Sequence, residues 1–384
     1  MAILFVLSAT SNTLAIGPEV AGLKVSLHNL VTSAEQGDVS AAQDSWREIV
    51  NTGGAENLPL ILQAMGGVAG RAPRRASKEI GPLTQNWLRA AVDTIAEREV
   101  QKTGSLPTEL LETFVQDKSQ SPRARRVAYE WLAKSDSTAP ARLLPMMLDD
   151  ASLELRYDAI ALLLDEAEAS ADEAAKLEKY QRALRSAREK GQLQACAEAL
   201  KQLGQAPNMA RQLGFLVEWK VIGPFDNTDR KGFNKIHLAV DQIDLDAEYA
   251  GKHGQVSWID AVAEQEQLED MGKVDFNAAL VEEKSVLAYA YTTFVADREL
   301  NVECRYESKE ATKLWVNGAE LAVNPVYHSG GGFDQYIVPC RLKQGQNEIV
   351  IKVCQNEQTQ SWTKPWDFRL RVTDELGGAI QPAE

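Results

Sequence analysis

Two spacings of hydrophobic residues divide the chain. From about Val20 to Phe215 they recur at i, i+3, i+4 and i+7, as in Trp87, Ala91 and Ile95, which is the spacing of amphipathic helices. Glycine and proline fall between these stretches rather than inside them, and they mark the turns. The first part of the chain is therefore predicted to form antiparallel helix pairs.

A weak internal repeat lies within this helical part. Residues 121–132 align with residues 152–163 at a spacing of about 31 residues. Arg125 then matches Arg156, and an alanine follows each of them three positions later. The small residue would let neighbouring helices approach, and the arginine could bond to the turn of the preceding repeat. The pattern favours a HEAT-like solenoid over residues 17–170, with an irregular helical bundle as the alternative.

The next segment, residues 171–210, is rich in alanine and in charges of both signs. This mixture is typical of solvent-exposed helices. We expect a helical arm here that joins the solenoid to the rest of the chain.

Beyond Glu218 the hydrophobic residues alternate with polar ones. In residues 300–306 every second side chain is apolar or aromatic, the pattern of a half-buried antiparallel strand. Further strands are expected at 285–295 and 368–372. Together they predict an antiparallel β-sandwich of jelly-roll type over residues 211–384.

Two hairpins are expected within this sandwich. Asn317-Gly318 supplies the two positive φ values of a type I′ turn within residues 313–321. Residues 341–353 are expected to form a second hairpin, which would place Cys340 and Cys354 on paired strands. Their offset in that hairpin is too large for a disulfide, so we expect buried free thiols.

Composition excludes several functional classes. The 384 residues carry a formal net charge of −14, which argues against binding nucleic acid through bulk electrostatics. No apolar run approaches the ~20 residues of a membrane-spanning helix, so an integral membrane protein is not expected. The four cysteines and four histidines lack metal-ligand spacing, and no cofactor is expected.

The first residues bear on the cellular compartment. Residues 2–9 are nearly all apolar, and no charged residue precedes Glu19. Residues 1–16 fit a short secretory signal, although no Lys or Arg precedes the apolar run. The alternative is a buried first helix. The pattern leaves the compartment open and slightly favours a secreted or periplasmic protein.

The order of these segments resembles a known architecture. The β part resembles a galactose-binding-like β-sandwich, and the helical part resembles a family of uncharacterised bacterial HEAT-repeat proteins with such a C-terminal domain. The resemblance implies this two-part fold but no established activity. The segments that carry it are Asn86–Ala91, Pro122–Arg126, Leu148–Asp150, Leu153–Arg156, Trp219–Asn227, Gly232-Phe233, Leu314–Gly318 and Leu342–Val353.

No catalytic constellation can be recognised. His328 and Ser329 are the only neighbouring pair of catalytic types, but adjacent loop residues do not form a triad. The glycine run 330–332 is followed by a strand rather than a helix, so it does not match a phosphate-binding loop.

Carboxylates cluster near the start of the predicted sandwich. Asp226, Asp229, Asp244 and Asp246 fall in expected loops, and a structural Ca²⁺ could take its oxygen ligands from such residues. Solvated loop acids are the favoured interpretation.

Aromatic residues in loops are the best binding candidates. Tyr327, His328, Trp362 and Trp366 lie between predicted strands, near amide and carboxylate side chains. Flat rings with nearby polar groups are what a sugar-binding face requires. The alternative for the two tryptophans, which we favour slightly, is that they cap the sandwich core.

The sequence thus predicts a non-enzymatic binding or scaffold protein. The sandwich would bind a glycan or a protein ligand, and the helical repeats would bind a protein partner. One alternative is a glycan hydrolase with its site between the two parts, for which paired carboxylates ~5–10 Å apart would be needed. Another is a purely structural subunit.

Overall fold

The computed structural model describes residues 18–67, 80–265 and 269–383. The predicted leader, residues 1–16, lies outside the described residues. Within them, a helical region precedes antiparallel sheets, in the order that the change of hydrophobic spacing predicts.

The chain divides into two compact units between Leu162 and Leu163. The described part of the first unit is helical. Its elements are α1 (Pro18–Gln36), α2 (Val39–Thr52), α3 (Leu58–Ala64), α4 (Pro82–Thr103), α5 (Thr108–Gln116), α6 (Pro122–Ser135), α7 (Ala139–Leu143) and the first part of α8 (Leu153–Glu168).

Local sequence sets the ends of several of these helices. The Asp38 carboxylate accepts a hydrogen bond of 3.0 Å from the backbone N–H of Ala41 at the start of α2. Gly104 ends α4 with φ at 81°, a conformation that glycine adopts without steric cost. Pro122 opens α6, where its missing N–H leaves no hydrogen bond unmade.

The two arginines that the repeat aligns each bond to backbone that precedes their own helix. Arg125 Nε donates to the Val115 carbonyl at 2.7 Å, and Arg156 Nε donates to the Asp150 carbonyl at 2.9 Å. Both arginine side chains are buried. They therefore tie α6 to the last turn of α5, and α8 to the turn before it, rather than facing solvent.

The second unit begins within α8. The predicted arm, residues 171–210, forms helices in this unit. The elements are α9 (Glu173–Ser186), α10 (Lys190–Gln202), α11 (Met209–Leu213), β1 (Glu218–Asp226), β2 (Tyr249–Ala250), β3 (Gln255–Val256), β4 (Ile259–Val262), β5 (Lys273–Asp275), α12 (Phe276–Ala279), β6 (Val286–Ala296), β7 (Leu300–Glu307), β8 (Ala311–Val316), β9 (Ala319–Asn324), β10 (Tyr336–Leu342), β11 (Gly345–Cys354) and β12 (Asp367–Thr373).

The strands form two larger sheets and a short ribbon. The six-stranded sheet has the order β4-β1-β6-β11-β8-β9, and the four-stranded sheet has the order β10-β7-β12-β5. Strands β2 and β3 pair with each other. The strand pairs within these sheets are antiparallel.

One apolar cluster joins the two larger sheets. Phe294 and Ile351 contribute from the six-stranded sheet, and Val302 and Leu370 contribute from the four-stranded sheet. A second cluster, which includes Tyr289, occupies the other face of the six-stranded sheet. The six-stranded sheet is therefore covered on both faces, which explains the long apolar runs in β6 and β11.

The first expected hairpin is present. Strands β8 and β9 pair across Asn317 and Gly318, whose φ values are 51° and 77°. Both are positive, as a type I′ turn requires.

The prediction of a second hairpin over residues 341–353 is wrong. Strand β10 pairs with β7, whereas β11 pairs with β6 and β8, so the chain crosses from one sheet to the other here. The buried side chain of Asn347 stabilises this corner. Its Nδ2 donates to the carbonyls of Lys343 and Gly345 at 2.9 and 3.0 Å, and its Oδ1 accepts from the Lys343 N–H at 2.9 Å. These bonds replace those that a hairpin would make.

The expected pairing of Cys340 with the strand of Cys354 is wrong for the same reason. Cys340 lies opposite Val302 on the neighbouring strand β7, and Cys304 lies two residues further along that strand. These cysteines are buried free thiols. The thiols thus fill apolar space, as small hydrophobic side chains do.

No helix among the described residues is long and apolar enough to cross a membrane.

Candidate functional site

Four connections meet at one end of the sheets. They are the segment that follows β1, the turn between β7 and β8, the loop between β9 and β10, and the connection between β11 and β12. Side-chain contacts link all four, and His328, in the loop between β9 and β10, has the most of these contacts. We call this group the loop-end cluster; it consists of Asn227, Arg230, Glu310, Tyr327, His328, Asn356, Glu357 and Trp362.

His328 is held from two sides. Its Nε2 lies 2.8 Å from Oδ1 of Asn356, and its Nδ1 lies 2.9 Å from Oε1 of Glu310. The imidazole is 7% exposed. Its backbone has φ at 56°, a left-handed conformation that is uncommon for residues other than glycine. The surrounding contacts therefore fix both the backbone and the ring.

Trp362 is the exposed aromatic ring of the cluster. Its side chain is 61% exposed, and its ring packs edge-to-face against His328, with centroids 5.3 Å apart and an interplanar angle of 79°. The short helical turn Ser361–Thr363 carries the tryptophan. Thr363 Oγ1 stabilises this turn by donating to the carbonyls of Gln358 and Gln360 at 2.9 and 2.8 Å. The indole of Trp362 thus presents a flat apolar face to solvent, and His328 and the short helical turn hold it in place.

Tyr327 forms a second aromatic position beside it. Its hydroxyl accepts a hydrogen bond of 3.2 Å from Asn227 Nδ2, and burial raises the pKa of Tyr327 to about 12. The guanidinium of Arg230 covers the ring at 5.2 Å from its centroid and pairs with Glu357 at 3.0 Å. The charged groups on this side of the cluster thus neutralise each other.

Glu310 is the buried acid of the cluster. Its side chain is 1% exposed. Nδ1 of His328 lies 2.9 Å from Oε1, but neither carboxyl oxygen has a hydrogen-bond partner of good geometry in the described structure. Burial raises the pKa of Glu310 to about 8, although the positive charge of Lys284 acts in the opposite direction. At neutral pH this carboxyl is therefore a neutral acid that can donate a hydrogen bond.

Trp366 does not belong to the loop-end cluster. Its side chain is fully buried in the apolar cluster between the sheets, with its ring centroid 5.1 Å from that of Phe276. Its Nε1 donates to the Val353 carbonyl at 3.2 Å. Trp366 is therefore not available to bind a ligand. It packs in the core of the sheets, which is the alternative that the sequence leaves open for it.

The four candidate carboxylates do not converge. Asp226 accepts hydrogen bonds from Thr228, Asp229 pairs with Lys231, and Asp244 accepts from the backbone of Asp246. In the described part of the chain, no group of three or more His, Cys, Asp or Glu side chains is placed to hold a metal ion.

His328 and Ser329 do not form a nucleophile and base pair. Ser329 Oγ bonds to the carbonyls of the turn between β7 and β8 and accepts from Gln335 Nε2 at 2.9 Å. Both ring nitrogens of His328 face other partners. The geometry therefore gives His328 a supporting role rather than that of a general base.

The sequence does not predict five members of the loop-end cluster: Glu310, Asn356, Asn227, Arg230 and Glu357. Glu310 lies in a short polar turn between two alternating strands, a pattern that is typical of solvated residues. Asn356 lies two residues after the end of the buried strand β11, and a polar residue at that point, close to aromatic loop residues, is a signal that could have found it. The remaining three residues are placed by contacts that span 100 residues of sequence for Asn227 and 127 for Arg230 and Glu357.

The sequence matches no protein-family model and no curated protein. Among solved structures, the β-glucosidase from Kluyveromyces marxianus in complex with glucose has a TM-score of 0.25 and 9% identity, over 42% of this chain and 17% of that enzyme. A β-glucuronidase from an uncultured Clostridium sp. has a TM-score of 0.24 and 14% identity, over 42% of this chain and 29% of that one.

A tryptic core variant of Bacillus thuringiensis Cry1Da has a TM-score of 0.19 and 9% identity, over 92% of this chain and 98% of that one. The matches to the β-glucosidase and the β-glucuronidase cover less than a third of each of those two enzymes. Scores this low support no conclusion about the fold or function of this chain.

Proposed function

We propose that this chain is a non-enzymatic carbohydrate-binding protein. Residues 211–384 would form a galactose-binding-like β-sandwich of jelly-roll type, and its loop-end cluster would bind a glycan, with the ring of Trp362 against the sugar. The observation that carries the proposal is the exposed ring of Trp362, which is supported by His328.

The arrangement of the strands is consistent with such a sandwich. A six-stranded and a four-stranded antiparallel sheet share one apolar cluster, and the chain crosses between them at the Asn347 corner. In the first unit, the bonds of Arg125 and Arg156 to preceding backbone support HEAT-like repeats. Stacked repeats present extended surfaces, so we assign protein interaction to the helical part.

The chemistry of the loop-end cluster suits a sugar. An exposed ring can cover the apolar C–H face of a pyranose, and polar side chains around it can bond to hydroxyl groups and fix its orientation. The Arg230–Glu357 pair offers both donors and acceptors without excess charge. Because His328 holds the ring before the ligand arrives, little ordering entropy remains to oppose binding.

A glycan array tests the proposal with the full chain. We expect specific binding by the wild type, and a loss of at least about tenfold in affinity in Trp362→Ala, since a stacking ring is typically worth more than about 1.4 kcal/mol at the centre of an interface. Ile236→Ala is the matched control, because Ile236 is 81% exposed and is not part of the loop-end cluster.

The same experiment separates the alternatives. Binding by the wild type that persists in Trp362→Ala would refute the placement of the site. Release of sugar from the bound glycan on prolonged incubation would contradict the non-enzymatic assignment and favour a glycan hydrolase. Absence of binding to every glycan would leave the scaffold function, with the helical repeats as its interaction surface.

A further inference from the structure

We propose that Glu310 and Asn356 are positioning residues of this glycan site. Asn356 fixes His328 through a hydrogen bond, Glu310 fixes it through one proton shared across a close contact, His328 fixes Trp362, and the site loses affinity when that proton leaves. The inference rests on the proposed function for its ligand, but the positioning of Trp362 can be measured without any ligand.

The orientation of the Asn356 amide determines which histidine nitrogen carries hydrogen. Its Oδ1 accepts the backbone N–H of Gln358 at 3.0 Å, which identifies this atom as the oxygen. The same oxygen lies 2.8 Å from His328 Nε2. Because an amide oxygen can only accept, Nε2 must be the donor and must carry a proton.

The contact between Nδ1 of His328 and the carboxyl of Glu310 then contains a single proton. When Nε2–H donates to Asn356, a neutral His328 presents a lone pair at Nδ1 to the Glu310 carboxyl, 2.9 Å away. Two buried acceptor atoms at that distance would repel each other, so one proton must lie between Nδ1 and Oε1, either on the acid or on the ring. If the proton leaves, two acceptors face each other in a buried place, and the contact must open.

Several titratable groups surround Glu310. The positive charge of Lys284, which precedes β6, lowers the pKa of Glu310. The negative charge of Asp367 on β12 raises it. Tyr327 and Cys354 are also close enough to interact with it electrostatically, and burial raises the pKa of each of them to about 12. These two groups stay neutral near pH 7. Burial dominates the balance and raises the pKa of Glu310 to about 8, so the proton is held at neutral pH and lost on the alkaline side.

The fixed ring of His328 in turn holds the ring of Trp362 in place. The indole is mostly in solvent, and the edge of the imidazole is the aromatic contact of its ring within the described structure. Reorientation of the imidazole would remove that contact. The ring of Trp362 would then lose the fixed geometry that a sugar face requires.

The test compares wild type with Glu310→Gln in the full chain. The glutamine amide can donate to Nδ1 at every pH, so it retains the contact without a titratable proton. The first readout is the ratio of glycan Kd at about pH 9.5 to that at about pH 7, measured with a glycan that the wild type binds. We expect a ratio of about ten in wild type, which corresponds to ~1.4 kcal/mol, and a ratio near one in Glu310→Gln.

The second readout needs no glycan. The indole N–H resonance of Trp362, assigned by its absence from the NMR spectrum of Trp362→Phe, should shift in wild type with a midpoint near pH 8 and should not shift in Glu310→Gln. Lys352 also has a pKa of about 8, but it is present in both proteins, so it cannot produce a difference between them.

The outcomes are separable. A resonance shift without glycan binding would support the positioning role and overturn the proposed ligand. Equal pH dependence in the two proteins, in either readout, would refute the shared proton. Glycan binding lost in Trp362→Ala but independent of pH in wild type would keep the proposed function and overturn this inference.

Discussion

Arg125 and Asp150 form a two-armed ion pair in the interior of the first unit. Nη1 lies 2.7 Å from Oδ1 and Nη2 lies 2.8 Å from Oδ2, and both side chains are almost wholly excluded from solvent. Asp150 also accepts the backbone N–H of Ser152 at 2.8 Å. The pair therefore connects α6 to the turn that begins α8.

We expect Arg125→Met to lower the free energy of unfolding by ~3–5 kcal/mol, because it leaves the Asp150 carboxylate buried without its partner. The exposed pair Arg47–Asp44 provides the control, and Arg47→Met should change stability by less than about 0.5 kcal/mol. Urea denaturation followed by far-UV circular dichroism measures both variants. Equal midpoints for the two variants would show that the buried pair does not stabilise the helical unit.

The two tryptophans of the connection between β11 and β12 should differ in their effect on stability. Trp366 is fully buried, so Trp366→Ala should cost ~3–5 kcal/mol through lost apolar contacts and a cavity. Trp362→Ala should cost less than about 0.5 kcal/mol, because its ring is mostly in water.

Urea denaturation measured by tryptophan fluorescence tests this contrast, and Trp366→Phe should recover part of the loss. A large destabilisation by Trp362→Ala would mean that its ring supports the fold, and would argue against its role as a free binding face.

Much of this fold follows from local sequence. Helical spacing and the change to alternation beyond Glu218 predict the order of helices and sheets, and Asn317-Gly318 predicts its turn from conformational preference alone. The Asn347 corner could not be predicted in this way. Alternation is the same whether two successive strands pair with each other or belong to different sheets, and only the buried amide distinguishes the two arrangements.

The candidate site was predictable only in part. Tyr327, His328 and Trp362 could be selected because aromatic residues in polar loops are unusual. Glu310 and Asn356 reach His328 across 18 and 28 residues of sequence, and such distances are set by the packing of strands. The spacing of residues along the chain therefore does not predict these two contacts.

Lys352 should be essential for the segment that follows β1. Its ammonium is buried and donates to the carbonyls of Gly232, Phe233 and Lys235 at 2.6, 2.9 and 3.0 Å. Lys352→Met would leave these carbonyls without a donor, and we expect a loss of ~2–4 kcal/mol in the free energy of unfolding.

Limited proteolysis gives a local measurement of the same change. Trypsin should cleave after Arg230, Lys231 or Lys235 faster in Lys352→Met than in wild type, because the segment is no longer held. Lys220→Met is the control, since Lys220 is partly exposed and pairs with Asp260 at the surface. Equal cleavage rates in the two variants would contradict an anchoring role.

The buried acid Glu310 should make stability depend on pH. Its pKa is about 8 in the folded protein and near 4.5 when the chain is unfolded and solvated. The unfolded chain therefore releases this proton at lower pH than the folded chain does. The contribution of Glu310 to stability is complete below about pH 4.5 and is lost progressively as the pH rises to about 8.

We expect Glu310→Gln to lack this dependence, because the amide does not ionise. The difference in unfolding free energy between Glu310→Gln and wild type should increase in favour of the variant by ~3–5 kcal/mol between about pH 4.5 and pH 8. Lys352, whose pKa is also about 8, is common to both proteins, and its titration cancels in the difference. Urea denaturation at a series of pH values measures it. A difference that does not change with pH would show that Glu310 has the same pKa in the folded and the unfolded chain, and would contradict the effect of its burial.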